Sequence, residues 1–277
     1  MLPAFLYASM AFCQQASLSE VKQLPLPADA ARPVLSPDGG TLLFSTQNGT
    51  TLRSYDMDNG VTVTLDEAMA AGIDPIFTSD SKRVIYRTAE MKDKLMYRDV
   101  REAYLPTGKI TVTEGMSRKM ISAKALPERE KYAVAGYDCI YLSDNGKVNE
   151  LRPLKDAYSY IKAALSPDGR HILFTEPFKG LFICDADGSN PRNIAAKVTD
   201  ATWADNSSVL IVVSHDDGYV VLTSALIYID INTGKYETLT DPDIMPESVT
   251  VSPADGQVVF STVTGEIFNA KLNINHE

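Results

Sequence analysis

Short apolar runs recur along the chain, each bounded by polar, turn-forming residues. β-Branched and aromatic residues crowd segments of about four to six positions between Gly, Asp and Asn clusters, a pattern of strands and not helices. The segments fall into sets. One set is Thr41–Ser45, Arg83–Tyr86, Lys131–Ala135, His171–Thr175, Val209–Val213 and Gln257–Ser261. A second follows it in each case: Leu52–Asp56, Leu95–Asp99, Cys139–Ser143, Leu181–Asp185, Leu226–Asp230 and Glu266–Ala270. A more polar, alternating set comes next: Val61–Leu65, Lys109–Thr113, Lys147–Leu151, Arg192–Ala195 and Lys235–Leu239. A short segment such as Arg32–Leu35 or Ile161–Leu165 leads into each group. No helix-period segment of useful length is present, and Asp66–Ala71 is the one place for a helical turn.

The turn ahead of the first set is itself a repeat. Leu35-Ser36-Pro37-Asp38-Gly39 recurs as Leu165-Ser166-Pro167-Asp168-Gly169, with a variant at Val251-Ser252-Pro253-Ala254-Asp255-Gly256. Weaker copies are Phe77-Thr78-Ser79-Asp80-Ser81, Trp203-Ala204-Asp205-Asn206 and the degenerate Leu126-Pro127-Glu128-Arg129-Glu130. The equivalent positions are 37, 79, 127, 167, 204 and 253. A mean period of about 43 lies in the range of propeller blades. The chemistry suits a tight turn: Asp accepts from its own backbone, Gly supplies positive φ, and Pro presets the first dihedral.

These observations predict an all-β, six-bladed β-propeller of four-stranded antiparallel blades. The blades are expected over residues 31–66, 72–114, 120–152, 159–196, 199–240 and 246–274, within one domain spanning 20–277. The last copy stops after three strands. Glu20–Leu24 has fourth-strand character and is expected to pair with that blade, closing the ring and removing its open edge.

Composition narrows the function. The formal charge is −10, which argues against nucleic acid or an anionic membrane as the main partner. Three His and three Cys leave little for a metal centre. Asp56-Met57-Asp58-Asn59-Gly60 and Asp185-Ala186-Asp187-Gly188 resemble calcium loops but lack the spacing and terminal Glu of an EF-hand, so they read as hairpin turns. Residues 2–12 form an apolar stretch ending in Ala11-Phe12-Cys13, which reads as a secretory signal cleaved after Cys13, with Ala11 and Cys13 at the small-residue positions. A basic leader is missing, and a buried first strand or helix is the competing reading. Phe12 is too bulky for a lipidation site at Cys13. No 18-residue apolar run exists, so the mature chain is expected to stay out of the membrane, as a periplasmic or secreted monomer. Cys139 and Cys184 are offset by about three residues on neighbouring blades, some ~10 Å, and read as buried thiols, not a disulfide.

The repeat resembles the WD-repeat-like propeller repeat of the TolB family. Pro33 to Leu65 fits it nearly throughout, and Ile161 to Ile194 fits through Asp187-Gly188-Ser189-Asn190-Pro191-Arg192. Leu239-Thr240 ends a copy in the family manner, and the resemblance covers about residues 20–274. It implies the ring, an exported location and binding of a protein or peptide at one face or in the channel. The family's TolB protein also carries an α/β domain ahead of the propeller, for which this chain has no room, so that protein's partner is not implied.

There is no Gly-x-Ser-x-Gly elbow, His-Glu-x-x-His or Gly-rich phosphate loop, and no catalytic residue, metal or cofactor is expected. In a propeller the first strand of each blade lines the channel. The residue about five before each turn marks the mouth: Arg32, Asp74, Ser122, Lys162, Asp200 and Ser248. That mixed ring suits a peptide, a carbohydrate or a small zwitterion better than a phosphate, unless its members only pair with one another or with water. The connections Thr88–Lys94, Glu176–Gly180 and Ser214–Thr223 are expected as loops on the same face, with Met91, Phe178 and Tyr219 as apolar anchors. His215 lies in the last of these, at a hairpin tip. The leading expectation is a non-enzymatic protein- or peptide-binding scaffold. The alternative is a carbohydrate-binding or carbohydrate-cleaving channel using Asp74, Asp200 and His215.

Overall fold

A computed structural model of the chain describes residues 15–112, 131–136, 138–144 and 147–275. The expected leader, Cys13, Ser122, the repeat at 126–130 and His276 lie outside them.

The described residues form six antiparallel sheets. The chain enters with β1 (Ala16–Gln23). The first blade is β2 (Ala31–Leu35), β3 (Thr41–Ser45), β4 (Leu52–Asp56) and β5 (Thr62–Asp66). The second is β6 (Ile76–Phe77), β7 (Arg83–Lys92), β8 (Leu95–Tyr104) and β9 (Lys109–Val112). The third shows β10 (Tyr132–Ala135), β11 (Ile140–Asp144) and β12 (Lys147–Leu151). The fourth is β13 (Lys162–Leu165), β14 (His171–Glu176), β15 (Gly180–Asp185) and β16 (Arg192–Ala195). The fifth is β17 (Asp200–Trp203), β18 (Ser208–Asp216), β19 (Val221–Asp230) and β20 (Tyr236–Thr238). The last is β21 (Pro246–Ser252), β22 (Gln257–Thr262) and β23 (Ile267–Ile274), completed by β1 in the order β1-β23-β22-β21. The molecule is a six-bladed propeller closed by its N-terminal strand.

Burial explains why the second strand of each blade reads as an unbroken apolar run. Over the stretch beside the motif turn both of its faces meet a neighbouring blade, so consecutive positions are core, as in Leu42–Ser45, Val84–Tyr86, Ile172–Phe174, Ser208–Val212 and Val258–Thr262. Leu42 and Phe44 pack toward the sixth blade with Val259 and Ile267, whereas Leu43 between them packs toward the second with Val84 and Tyr86. Val209 and Ile211 face Leu173 and Ile183 of the fourth blade, while Leu210 and Val212 face Val258 and Phe260 of the sixth. The outermost strands are largely exposed, as in β5 and β9, which is why they alternate and carry charge. Cys139 and Cys184 are free, buried thiols. Burial pushes the Cys184 thiol up to about 12.

Three expectations are corrected. The closing strand begins at Ala16, not Glu20, because β23 runs to Ile274 and Ala16 pairs with that end, burying its methyl group. Asp66–Ala71 holds no helical turn: Asp66 ends β5 and accepts the Ala68 N–H at 2.9 Å, and Met69 bridges to Ala89. Residues 88–92 and 214–216 are strand, not loop. The β7–β8 ladder continues to the Lys92–Leu95 pair, because Asp93 and Lys94 both take positive φ (49° and 64°) and close a two-residue turn whose twist matches the strands. The β18–β19 ladder likewise runs out to Asp216, leaving a tip of four residues.

Candidate functional site

The motif turns set the inner strands at one height. In the first blade Ser36 Oγ donates to Asp38 Oδ1 at 2.6 Å and accepts the Thr41 N–H at 2.9 Å. Thr78–Asp80 and Ser166–Asp168 repeat the arrangement at 2.6 Å and 2.7 Å. Neighbouring blades are tied at this level: the Asp38 N–H donates to Ser81 Oγ at 3.2 Å, and the Asp168 N–H to Asn206 Oδ1 at 2.9 Å. The inner strands run away from these turns toward the opposite end, which is therefore the end where second and third strands connect.

At that end lies a central cavity of about 850 Å³. Arg32, Asp74, Lys162, Asp200 and Ser248 all line it, so five of the six expected mouth residues share one cavity. The sixth, Ser122, is outside the described residues, and β10 supplies the lining on that side through Ala133, Val134 and Ala135. Two charged residues not anticipated from sequence also line it, Arg87 and Glu247. Arg87 was missed because it sits on a second strand, β7. Glu247 was missed because it is one residue off the alignment, at an irregularity between the Pro246–Thr262 and Ser248–Ser261 pairs. The adjacent Pro246 is a legible signal, since proline inside a sheet marks an edge strand or a bulge.

The lining residues are already engaged to different degrees. Asp200 is a structural tie: it ion-pairs with Lys162 of the preceding blade, and its Oδ2 accepts the Val249 N–H of the following blade at 2.9 Å. Asp74 ion-pairs with Arg87 at 3.4 Å. The Ser248 and Ser261 hydroxyls share a hydrogen bond of 2.7 Å. Arg32 donates from Nε to the Gln47 carbonyl at 3.2 Å. Arg32 and Asp74 hold φ of 54° and 49°, each just before a proline, a conformation costing about 1–3 kcal/mol for a residue with a Cβ.

The apolar candidates surround the mouth instead of lining it. Phe178 is 77 % exposed in the β14–β15 turn and stands edge-on to Tyr158, centroids 5.3 Å apart. Glu176 holds this turn, accepting the N–H groups of Tyr158, Phe178 and Lys179 at 3.0, 2.8 and 2.6 Å. Burial works against that carboxylate, but the three N–H groups and Lys179 outweigh it and hold it below the usual range. Tyr219 is 95 % exposed at the β18–β19 tip, where Asp217 Oδ1 accepts the N–H groups of Tyr219 and Val220. His215 is exposed on the β18 arm and does not line the cavity, so Asp74, Asp200 and His215 are not brought together there. Among the described residues no group of three His, Cys, Asp or Glu could hold a metal ion.

The fold and the central cavity define a six-bladed β-propeller whose channel mouth mixes charged and apolar side chains. No protein-family model matches the sequence, and neither does any curated protein. Solved structures do match the fold. A putative TolB from Agrobacterium tumefaciens is 18% identical with a TM-score of 0.60, covering 95% of this chain and 99% of that one. The Cps50 (Swd1) β-propeller domain of Myceliophteria thermophila is 11% identical with a TM-score of 0.59, covering 90% and 98%. The Kuenenia stuttgartiensis hydrazine synthase is 18% identical with a TM-score of 0.54, covering 83% and 72%. A TolB and a WD-repeat-type propeller among these neighbours agree with the repeat resemblance. At such identities the likeness concerns the fold, and propellers host unrelated activities.

Proposed function

We propose that this chain is an exported, non-enzymatic propeller that binds a protein or peptide partner across the channel-mouth face. The observation that carries the reading is the set of exposed apolar side chains on the hairpin tips of that face. Phe178, Tyr219, Val220 and Leu222 stand on connections of the fourth and fifth blades, and Met91 and Leu95 at the tip of the β7–β8 hairpin. Apolar side chains held out by ordered hairpins around a polar rim are the usual anatomy of a recognition surface. The opposite end is built of the Asp-rich and motif turns, whose polar groups are spent on local hydrogen bonds.

A photo-crosslinking amino acid at 219 and, separately, at 178 tests the reading in a cell-envelope fraction. The same adduct from both positions is expected, with none from Asn59 or Asn232 on the opposite end. Adducts that appear equally from both ends, or from neither, overturn it. The export half has its own readout: the mature chain recovered from cells should begin at Gln14.

A further inference from the structure

The cavity's charges are not all accounted for. Asp74 is paired with Arg87, and Lys162 with Asp200. Arg32 and Glu247 remain, lining the same cavity with no ion pair among the described residues. Their positions are matched. β2 and β21 are neighbouring inner strands, tied where the Leu35 N–H donates to Thr250 Oγ1 at 3.1 Å. Three residues back from each end of that tie, toward the mouth, stand Arg32 and Glu247.

Both are placed by bulges. In β2 the pairing passes from Ala31–Ser45 to Val34–Leu43, leaving one extra residue at Arg32-Pro33. In β21 it passes from Pro246–Thr262 to Ser248–Ser261, leaving Glu247 as the extra residue. A bulge turns a side chain out of the regular alternation and is common beside binding sites. Here two bulges at one level turn a cation and an anion from adjacent blades into one cavity. Arg32 Nε donates to the Gln47 carbonyl at 3.2 Å, which anchors the side chain at the mouth.

We infer that Arg32 and Glu247 form a binding site for a small zwitterion of the free α-amino acid class, the carboxylate meeting Arg32 and the ammonium meeting Glu247. A simple anion is disfavoured, because Glu247 and Asp74 face the same space, and a simple cation meets Arg32 and Lys162. A ligand with both charges satisfies the pair together, and Arg offers a carboxylate two parallel donors. The site is separate from the apolar hairpin tips, so it stands whether or not a protein binds there.

Titration calorimetry of the intact protein at low salt tests it, using each of the common L-amino acids with its N-acetyl and C-amide forms. At least one free amino acid is expected to bind with a Kd of about 1 mM or tighter, and either blocked form about tenfold more weakly. Arg32→Gln should lower affinity about tenfold and abolish the distinction between acid and amide. Glu247→Gln should do the same for free against acetylated amine. Both residues are exposed, so circular dichroism should match the parent. Failure of every free amino acid to bind, blocked forms binding as well as free ones, or both variants binding like the parent would each overturn the assignment. Equal binding of tripeptides would also overturn it, since the assignment requires both charges on a single amino acid.

Discussion

Single side chains carry more of this fold than their size suggests. Ser166 Oγ satisfies Asp168 and two backbone N–H groups, those of Arg170 and His171, in one turn. Ser166→Ala leaves these groups under-satisfied in a buried place and should cost about 1–3 kcal/mol, seen as a fall of roughly 2–4 °C in Tm per kcal/mol. Asp66 is the clearest pH-dependent tie. It ends β5 and accepts from Tyr86 Oη at 2.8 Å and Arg101 Nη1 at 2.7 Å, both of the next blade. Burial raises its pKa, but the Ala68 N–H, Arg101 and Tyr86 outweigh it, and the carboxyl is held below its usual range. A depressed carboxyl contributes stability above its unfolded value near 4, and that contribution is lost as pH falls through the folded value. Asp66→Asn should therefore cost about 1–3 kcal/mol at pH 7, with the difference from the parent shrinking below pH 4 in urea titrations.

Elements differ in how firmly local chemistry fixes them. The β7–β8 hairpin extends seven pairs beyond the point where Ile76 meets Ile85, so its far end is held mainly by its own ladder and turn. Lys94 at φ 64° is a poor residue for that turn. Lys94→Gly should stabilise the tip by about 1 kcal/mol, read as slower amide exchange across 90–95. The connection after β5 depends on closeness instead. A Cβ on Gly72 would lie 1.8 Å from Ser45 Oγ and 2.8 Å from the Thr51 carbonyl. Gly72→Ala should therefore destabilise by about 1–3 kcal/mol.

For the whole molecule, ring closure is the decisive contact. β1 pairs with β23 from Ala16–Ile274 to Gln23–Phe268, and Ala16 and Leu18 join the core between the fifth and sixth blades. A chain beginning at Leu24 would leave β23 as an open edge. Its loss of stability should exceed about 3 kcal/mol, and chromatography should show association of chains through that edge.

The repeat was legible because each blade solves the same local problem with the same residues. Ser36-Pro37-Asp38-Gly39 and its copies fold their own turns, and doubly buried strands must read as apolar runs. The number of blades, their antiparallel order and the identity of the closing strand follow from that grammar alone. Five mouth residues could be named in advance because the motif turn fixes one end of each inner strand, so a count of four or five residues back reaches the mouth. Arg87 and Glu247 escaped because their presence in the cavity depends on a neighbouring strand and on a bulge, neither of which has a fixed spacing. The hairpin arms at 88–92, 214–216 and 221–223 escaped because whether a polar, mixed segment pairs or loops is decided by its partner strand. Only the closed ring determined which charges neutralise each other across blades. Lys162 and Asp200 meet across two blades, Asp74 and Arg87 meet within the second through the connection ahead of β6, and among the described residues Arg32 and Glu247 make no ion pair.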